Sequence, residues 1–272
     1  MSLSAEIRPF FDEPTNTITY LVFDPETRQA AVIDPVLDYD PASGEVDMRS
    51  VAAVLAEANR LALDVRWALE THVHADHLSG APYIKAKTGA QIGIGERITD
   101  VQRIFRPIFN ASDLVADGGD FDRLLADGDR LPLGELEIEV IHTPGHTPAC
   151  VSYRIGDAVF VGDTLFMPDF GTARADFPGG DAATLYRSIQ RLLALPPETR
   201  VFVGHDYLPK DGRTGFCWET TVAAERDGNI HVGGGTSEAD FVAMRAARDA
   251  TLPPPKLLEP ALRANIRAGA TG

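Results

Sequence analysis

The run His72-Val73-His74-Ala75-Asp76-His77 constrains this chain more than any other feature, placing three of its seven histidines and a carboxylate within six residues. Side chains two apart on an extended segment point to the same side, so His72 and His74 can face one ion. Asp76 and His77, past a bend, then face a neighbouring position. Packing four ionisable groups together with no cation between them costs desolvation and repulsion, so the cluster predicts a metal centre. Further ligand candidates arrive in His142-Thr143-Pro144-Gly145-His146, Gly162-Asp163-Thr164 and Gly204-His205-Asp206, behind apolar runs such as Val159-Phe160-Val161. Imidazoles and carboxylates suit zinc and iron alike, and neither Cys150 nor Cys217 falls within the set. Glycines beside His146, Asp163 and His205 are expected to let the backbone pass close to the metal. Asp34 either orients a ligating histidine from behind or caps a turn. His142 stays open between ligand and structural roles, and His231 alone reads as a satisfied surface or core residue.

The chain around these residues reads as one large α/β domain, with 272 residues and 44% hydrophobic content. Thr17 to Phe23 and Gln29 to Ile33 are β-branched runs separated by Asp24-Pro25-Glu26-Thr27, a hairpin pattern. Asp47 to Leu63 carries Val51, Val54, Leu55, Ala58 and Leu61 at helical spacing. A strand over Val65 to Glu70 delivers His72, and a short helix begins at Ser79-Gly80-Ala81-Pro82 and closes at Gly89. A less regular region from Arg97 to Gly128 includes a helical stretch through Ile104. Strands are expected near Leu131, over Glu135 to Ile141, Cys150 to Ile155, Ala158 to Val161 and Val201 to Val203. Amphipathic helices are expected over Asp181 to Leu193 and Ser237 to Asp249. Residues from about 210 to 272 read as an appendage of the same domain. Strands and helix recurring twice suggest two β-sheets packed together with helices outside.

Lys plus Arg total 25 against 40 Asp plus Glu, a net charge of -15 that offers no footprint for nucleic acid. No stretch approaches the length of apolar sequence a spanning helix needs, and the N-terminus lacks the pattern of an export signal. Two cysteines are too few for a disulfide framework, so a soluble protein of the reducing cytoplasm is expected. Cys150 is expected to be a buried, inert thiol. A homodimer is a possibility on general grounds, although no apolar stripe marks an interface.

The H-x-H-x-D-H run, with His146, Asp163 and His205 following in that order, resembles the metallo-β-lactamase superfamily over about residues 15 to 210. The resemblance implies an αββα sandwich of two mixed β-sheets with helices outside. It does not fix the chemistry, because one fold hosts several reactions. Flavodiiron relatives have a carboxylate where this chain has His74, the nucleases act on polyanions, and secreted lactamases need an export signal.

Glyoxalase II-like thioester hydrolases and persulfide dioxygenases remain. The Arg174-Ala175-Asp176-Phe177 element resembles the dioxygenases, as do His205-Asp206-Tyr207, Glu70-Thr71-His72, Leu78-Ser79-Gly80 and the closing Asn265-Ile266-Arg267-Ala268-Gly269. Resemblance to that group implies one Fe(II) held by His74, His146 and Asp163, with His72, Asp76, His77 and His205 nearby as a second position or a surrounding layer. It implies oxidation of glutathione persulfide, or a similar small persulfide, by O2 to sulfite and thiol. Arg174 would orient a substrate carboxylate, Asp176 would lock Arg174 by an ion pair, and Tyr207 would hydrogen-bond near the iron or pack against the C-terminal tail. Some relatives carry a cysteine where this chain has Thr172, so no role resting on that thiol transfers. The alternatives are a hydrolase with one or two zinc ions and a metal- or thiol-binding sensor without turnover.

Overall fold

The computed structural model describes residues 4–270. The chain opens with an antiparallel meander of β1 (Glu6–Asp12), β2 (Thr17–Phe23) and β3 (Gln29–Ile33). All seven residues of β2 are buried, as a strand covered on both faces requires. A hairpin of β4 (Val36–Asp40) and β5 (Glu45–Asp47) leads into α1 (Arg49–Arg60), which buries Val51, Val54, Leu55 and Ala58. Next come β6 (Asp64–Leu69), β7 (Leu78–Ser79), α2 (Ala81–Thr88), β8 (Gln91–Gly95), α3 (Ile98–Ile108) and β9 (Arg123–Leu125). The first sheet runs β1-β2-β3-β6-β8-β9, antiparallel up to β3 and parallel beyond it.

The second sheet takes β10 (Arg130–Leu133), β11 (Leu136–His142), β12 (Val151–Ile155) and β13 (Ala158–Phe160). After α4 (Ala182–Leu193) it continues with β14 (Arg200–Phe202) and β15 (Glu219–Thr221), and its one parallel pair is β13 with β14. The chain ends in α5 (Val222–Gly228), α6 (Glu238–Asp249) and α7 (Leu258–Asn265). Ile18, Tyr20, Ile33 and Leu69 of the first sheet meet Leu131, Ile138, Val140, Tyr153 and Phe160 of the second in a shared core. Separate apolar clusters join α1, α2 and α7 to the first sheet and α4 and α6 to the second. The architecture is the expected αββα sandwich.

That core also fixes the site end of the molecule. Tyr20 lies edge-on to Phe160 and Phe202, with ring centroids 5.1 and 5.5 Å away. Its hydroxyl donates to the Val203 carbonyl at 2.6 Å, two residues before His205. Truncating such a buried aromatic costs about 3–5 kcal/mol, so Tyr20 anchors the loop after β14 as well as the core.

β1 and α7 are among the elements the sequence did not indicate. β1 precedes the hairpin that was expected to open the fold; it sits at the sheet edge, where Pro9 removes no ladder bond that the sheet needs. α7 forms after Pro253-Pro254-Pro255, in a tail for which the sequence indicated no further helix. The helix starts sit as predicted: the Asp181 side chain accepts from Thr184 N at 2.7 Å ahead of α4, and Ser237 accepts from Asp240 N at 3.2 Å ahead of α6. Among the described residues no helix is long and apolar enough to cross a membrane.

Candidate metal centre

The histidine-rich run occupies the irregular loop between β6 and β7, while His146, Asp163 and His205 lie beyond the ends of β11, β13 and β14. The two sheets are tied together here, because Ile18 N donates to Gly204 O at 2.9 Å and Asp206 N donates to Asn16 O at 3.1 Å. Candidate ligand atoms of His72, His146 and Asp163 lie within 4.8 Å of one another, as do those of His74, Asp76 and His205. His72 is 4.1 Å from His74 and 5.1 Å from His146 between ring centroids, and His77 is 4.2 Å from His74. All seven expected side chains thus converge on one cleft.

Their grouping differs from the expected one. His72, not His74, shares a position with His146 and Asp163. The reason is visible at His74, whose Nε2 faces Asp34 at 3.0 Å and Glu70 at 3.3 Å. Burial alone would depress the His74 pKa, but these two carboxylates turn the net shift upward. Asp34 also accepts from Thr71 N at 2.7 Å and Thr71 Oγ1 at 2.8 Å, so it braces both the loop and the ring. Glu70, which sequence reasoning quoted only for its resemblance, takes a hydrogen bond from Ser79 Oγ.

Several polar atoms here are buried without a partner: His74 Nδ1, His77 Nε2 and Asp163 Oδ1. Orphaned acceptors of this kind carry a desolvation cost of about 1–3 kcal/mol each unless something binds them. A cation shared by His72, His146 and Asp163 would engage Asp163, and one shared by His74, Asp76 and His205 would engage His74, so the donor set fits a metal ion. The charges agree: burial and then the neighbouring His74 and His146 push the His72 pKa well down, leaving a neutral ring with a lone pair to give. Asp76, although buried, is held well below the usual carboxylate range by His205 and His77. Thr17 Oγ1 sits within 3.4 Å of Asp76, His77 and His205 and orients them together.

The glycines beside the ligands serve packing rather than approach to the metal. A Cβ on Gly145 would lie 2.3 Å from the Leu185 backbone, and one on Gly162 would lie 2.3 Å from Thr71 Oγ1. Both have positive φ, at 135° and 48°, which favours glycine as well.

A cavity of about 420 Å³ opens over His72, His146 and Asp163, walled by Phe166, Phe170 and Phe177. Tyr207 lines it half-buried, stacked on His205 with centroids 5.6 Å apart. Burial, reinforced by Asp76 and Asp163, holds its phenol pKa well above the ordinary value, so the hydroxyl keeps its proton. Arg174 is committed elsewhere than expected. Its guanidinium donates to Asp176 at 2.6 and 2.8 Å and to the Pro253 carbonyl at 2.7 Å, which supplies the lock on Asp176 but leaves little for a substrate carboxylate. Its carbonyl instead accepts from His146 Nδ1 at 2.8 Å.

Outside the cleft, His142 Nε2 pairs with the Pro148 carbonyl at 2.9 Å. His231 is buried, accepts from Thr172 N at 2.9 Å, and has its pKa lowered to about 4, chiefly by burial. Cys150 is buried with its thiol pushed up to about 12, while Cys217 is exposed and unpaired. Sequence reasoning missed the reach of the C-terminus. Asn265 Nδ2 donates to the carbonyls of His74 at 2.9 Å and His77 at 2.8 Å, and its Oδ1 accepts from Ser79 N at 2.9 Å. The signal was present in the closing Asn265 to Gly269 stretch, noticed for its resemblance but given no role.

This fold and this cleft define a metal-dependent αββα protein. The sequence matches the metallo-beta-lactamase superfamily over residues 13–205, and the chain belongs to that superfamily. It is 53% identical to a probable metallo-hydrolase of Burkholderia pseudomallei, covering 97% of this chain and 92% of that protein. It is 51% identical to a beta-lactamase hydrolase-like protein of Agrobacterium fabrum over 97% of this chain, but spans only 60% of that longer protein. The mitochondrial persulfide dioxygenase ETHE1 of Homo sapiens is 30% identical, with coverage of 97% and 88%. The crystal structure of ETHE1 from Myxococcus xanthus superposes with a TM-score of 0.77 at 33% identity, covering 97% of this chain and all of that one.

Proposed function

We propose that this chain is a persulfide dioxygenase that oxidises glutathione persulfide, or a similar small persulfide, to sulfite and thiol. One persulfide, one O2 and one water give one thiol, one sulfite and two protons. The observation that carries the proposal is the set of His72, His146 and Asp163 facing an open cavity. Two histidines and one carboxylate are the facial set of non-haem Fe(II) oxygenases, and the likeness to the ETHE1 proteins supports it. His72, His146 and Asp163 would hold one Fe(II), with His74, Asp76, His77 and His205 around it. Bound iron would supply vacant positions for a thiolate and O2 and the electron transfer that zinc lacks.

The remaining steps belong to the chain. His146 is held in one tautomer by the Arg174 carbonyl, and Asp34 and Glu70 hold His74 behind the cleft. Phe166, Phe170 and Phe177 would give the reacting sulfur an apolar surround, and the protonated Tyr207 hydroxyl can donate to an anion bound beside His205.

A second assignment has its own observation. The grouping of His74, Asp76 and His205 offers room for a second ion, and a binuclear zinc thioester hydrolase would use both positions. Metal analysis of the protein, with O2 uptake after anaerobic Fe(II) loading, separates the two. One iron per chain and O2 consumption with glutathione persulfide is expected. No uptake at full iron occupancy overturns the dioxygenase assignment; two zinc ions with thioester cleavage establishes the hydrolase.

A further inference from the structure

A second, much smaller cavity also touches the metal centre. It lies between the histidine-rich loop, α3 and α7, where the buried side chains of Val73, Val101, Phe105 and Leu262 wall it, and it shares His146 and Phe177 with the large cavity. About 10 Å³ is open to the centre of a water-sized molecule, which is room for one. Water itself is a poor occupant, because it needs about two to four polar partners and the lining side chains offer none. The Thr147 hydroxyl pairs with Cys150 Sγ at 3.1 Å and accepts from Ala149 N at 3.3 Å, and Thr147 N donates to the same sulfur at 3.3 Å. His146 Nδ1 is engaged by the Arg174 carbonyl, and its Nε2 faces Asp163. Among the described residues, none of the buried side-chain atoms left without a partner belongs to this lining.

We propose that this cavity is a holding site for O2, a neutral and apolar molecule small enough to enter it. The inference rests on the dioxygenase reading for its choice of guest. Dry apolar cavities take up such guests, xenon among them. The wall between the two cavities is one side chain thick: Phe177 meets His146 edge-on with ring centroids 5.2 Å apart, and the Arg174 guanidinium lies 5.0 Å from the Phe177 centroid. A guest here touches the ring of His146, whose Nε2 lies 3.7 Å from Asp163, so it waits one imidazole away from the proposed iron position. A persulfide anion is kept out by its size and by the cost of burying an unpaired charge. The two co-substrates therefore have separate places, and a thiol carrier can fill the large cavity without displacing O2.

Zinc has no redox chemistry, so crystals of the zinc-loaded full chain can be pressurised with xenon or with O2 in the absence of turnover. Both gases are expected at one position, against Val101, Phe105 and Leu262. Val101→Ile adds one methylene there and is expected to expel both, while Leu262→Ala enlarges the cavity and should raise xenon occupancy. In the iron-loaded enzyme, Val101→Ile should raise KM for O2 about three- to tenfold, the scale set by burying one small apolar group. It should leave kcat at saturating O2 and KM for the persulfide unchanged, whereas a general packing defect would move those instead. Xenon should raise the apparent KM for O2 of the wild type in the same competitive way. Neither gas in the cavity, or an unchanged KM for O2 in Val101→Ile once the cavity is filled, overturns the holding site. Both gases bound in the crystal, with no O2 uptake by the iron-loaded chain, keeps the site and overturns the dioxygenase assignment alone.

Discussion

His146 donates its Nδ1 proton to the Arg174 carbonyl across 2.8 Å. A carbonyl can only accept, so the ring is held in the tautomer that leaves Nε2 free on the cleft side, 3.7 Å from Asp163. The carbonyl is in turn positioned from α6. Arg245 donates to Thr172 O at 3.1 Å, and Asp249 accepts from Ala175 N at 3.0 Å, so the buried ion pair grips the loop on both sides of Arg174. Asp249→Ala strands the Arg245 charge and is expected to cost about 3–5 kcal/mol of stability. It should also weaken metal binding about tenfold, as loss of support behind a ligating histidine does. Chelator competition with Co(II) reads the second effect. Replacing both partners by Met and Leu should recover most of the stability without recovering the affinity.

Asn265 performs the same service for the histidine-rich loop from the opposite side. One buried amide satisfies two carbonyls and one N–H, at His74, His77 and Ser79. Asn265→Ala orphans all three groups, and with about 1–3 kcal/mol for each the combined loss is expected to lower the melting temperature by more than 5 °C, on the order of the shift per kcal/mol for a domain this size. Asn265→Asp should do similar harm, because a carboxylate cannot donate to either carbonyl. A melting curve unchanged in both variants would mean the loop holds itself.

Much of this site was legible in the sequence, and the limits of legibility are physical. His72 through His77 announced themselves because clustered imidazoles have few other uses, and β2, β3 and α4 because their apolar periodicity is strong. β1 was hidden by Pro9 and its charges, which only an edge position tolerates. The pairing of His72, rather than His74, with His146 depends on which face of an irregular loop each ring takes. Asp34, 40 residues away in sequence, and Glu70, four residues away across the bend, decide it. The commitment of Arg174 to Asp176 and Pro253 likewise needed coordinates: spacing revealed the ion pair, but not the carbonyl 79 residues away.

Metal removal supplies a direct thermodynamic reading of the cleft. Asp163 Oδ1 and His74 Nδ1, buried without a hydrogen-bond partner, belong to side chains placed to share an ion with their neighbours. An ion that binds the folded chain alone stabilises it by mass action, about 4 kcal/mol with free metal at ~1,000 times its Kd. The chelated protein is therefore expected to melt at a lower temperature than the metal-loaded one, with the difference growing with free metal concentration. A melting temperature independent of metal would show that these atoms are satisfied in some other way.

Glu225 carries a pH dependence of a sign unusual for a carboxylate. Burial raises its pKa to about 8 against an ordinary value of 4.5, although Asn229 Nδ2 donates to Oε2 at 2.6 Å. Oε1 has no partner and is the natural place for the retained proton. Between those two pH values the unfolded chain has released this proton while the folded chain keeps it, so the folded state loses stability as pH rises. Below the unfolded value both states hold the proton and the effect vanishes. Glu225→Gln mimics the protonated acid, and is expected to match the wild type in acid while exceeding it by up to about 5 kcal/mol above pH ~8. His231 works in the other direction: its folded pKa of about 4 lies below the ordinary 6.5, so stability rises with pH through that window. Denaturant unfolding of wild type and Glu225→Gln across the pH range separates the two contributions. If the two curves run parallel through neutral pH, Glu225 ionises as easily folded as unfolded, and burial does not hold its proton.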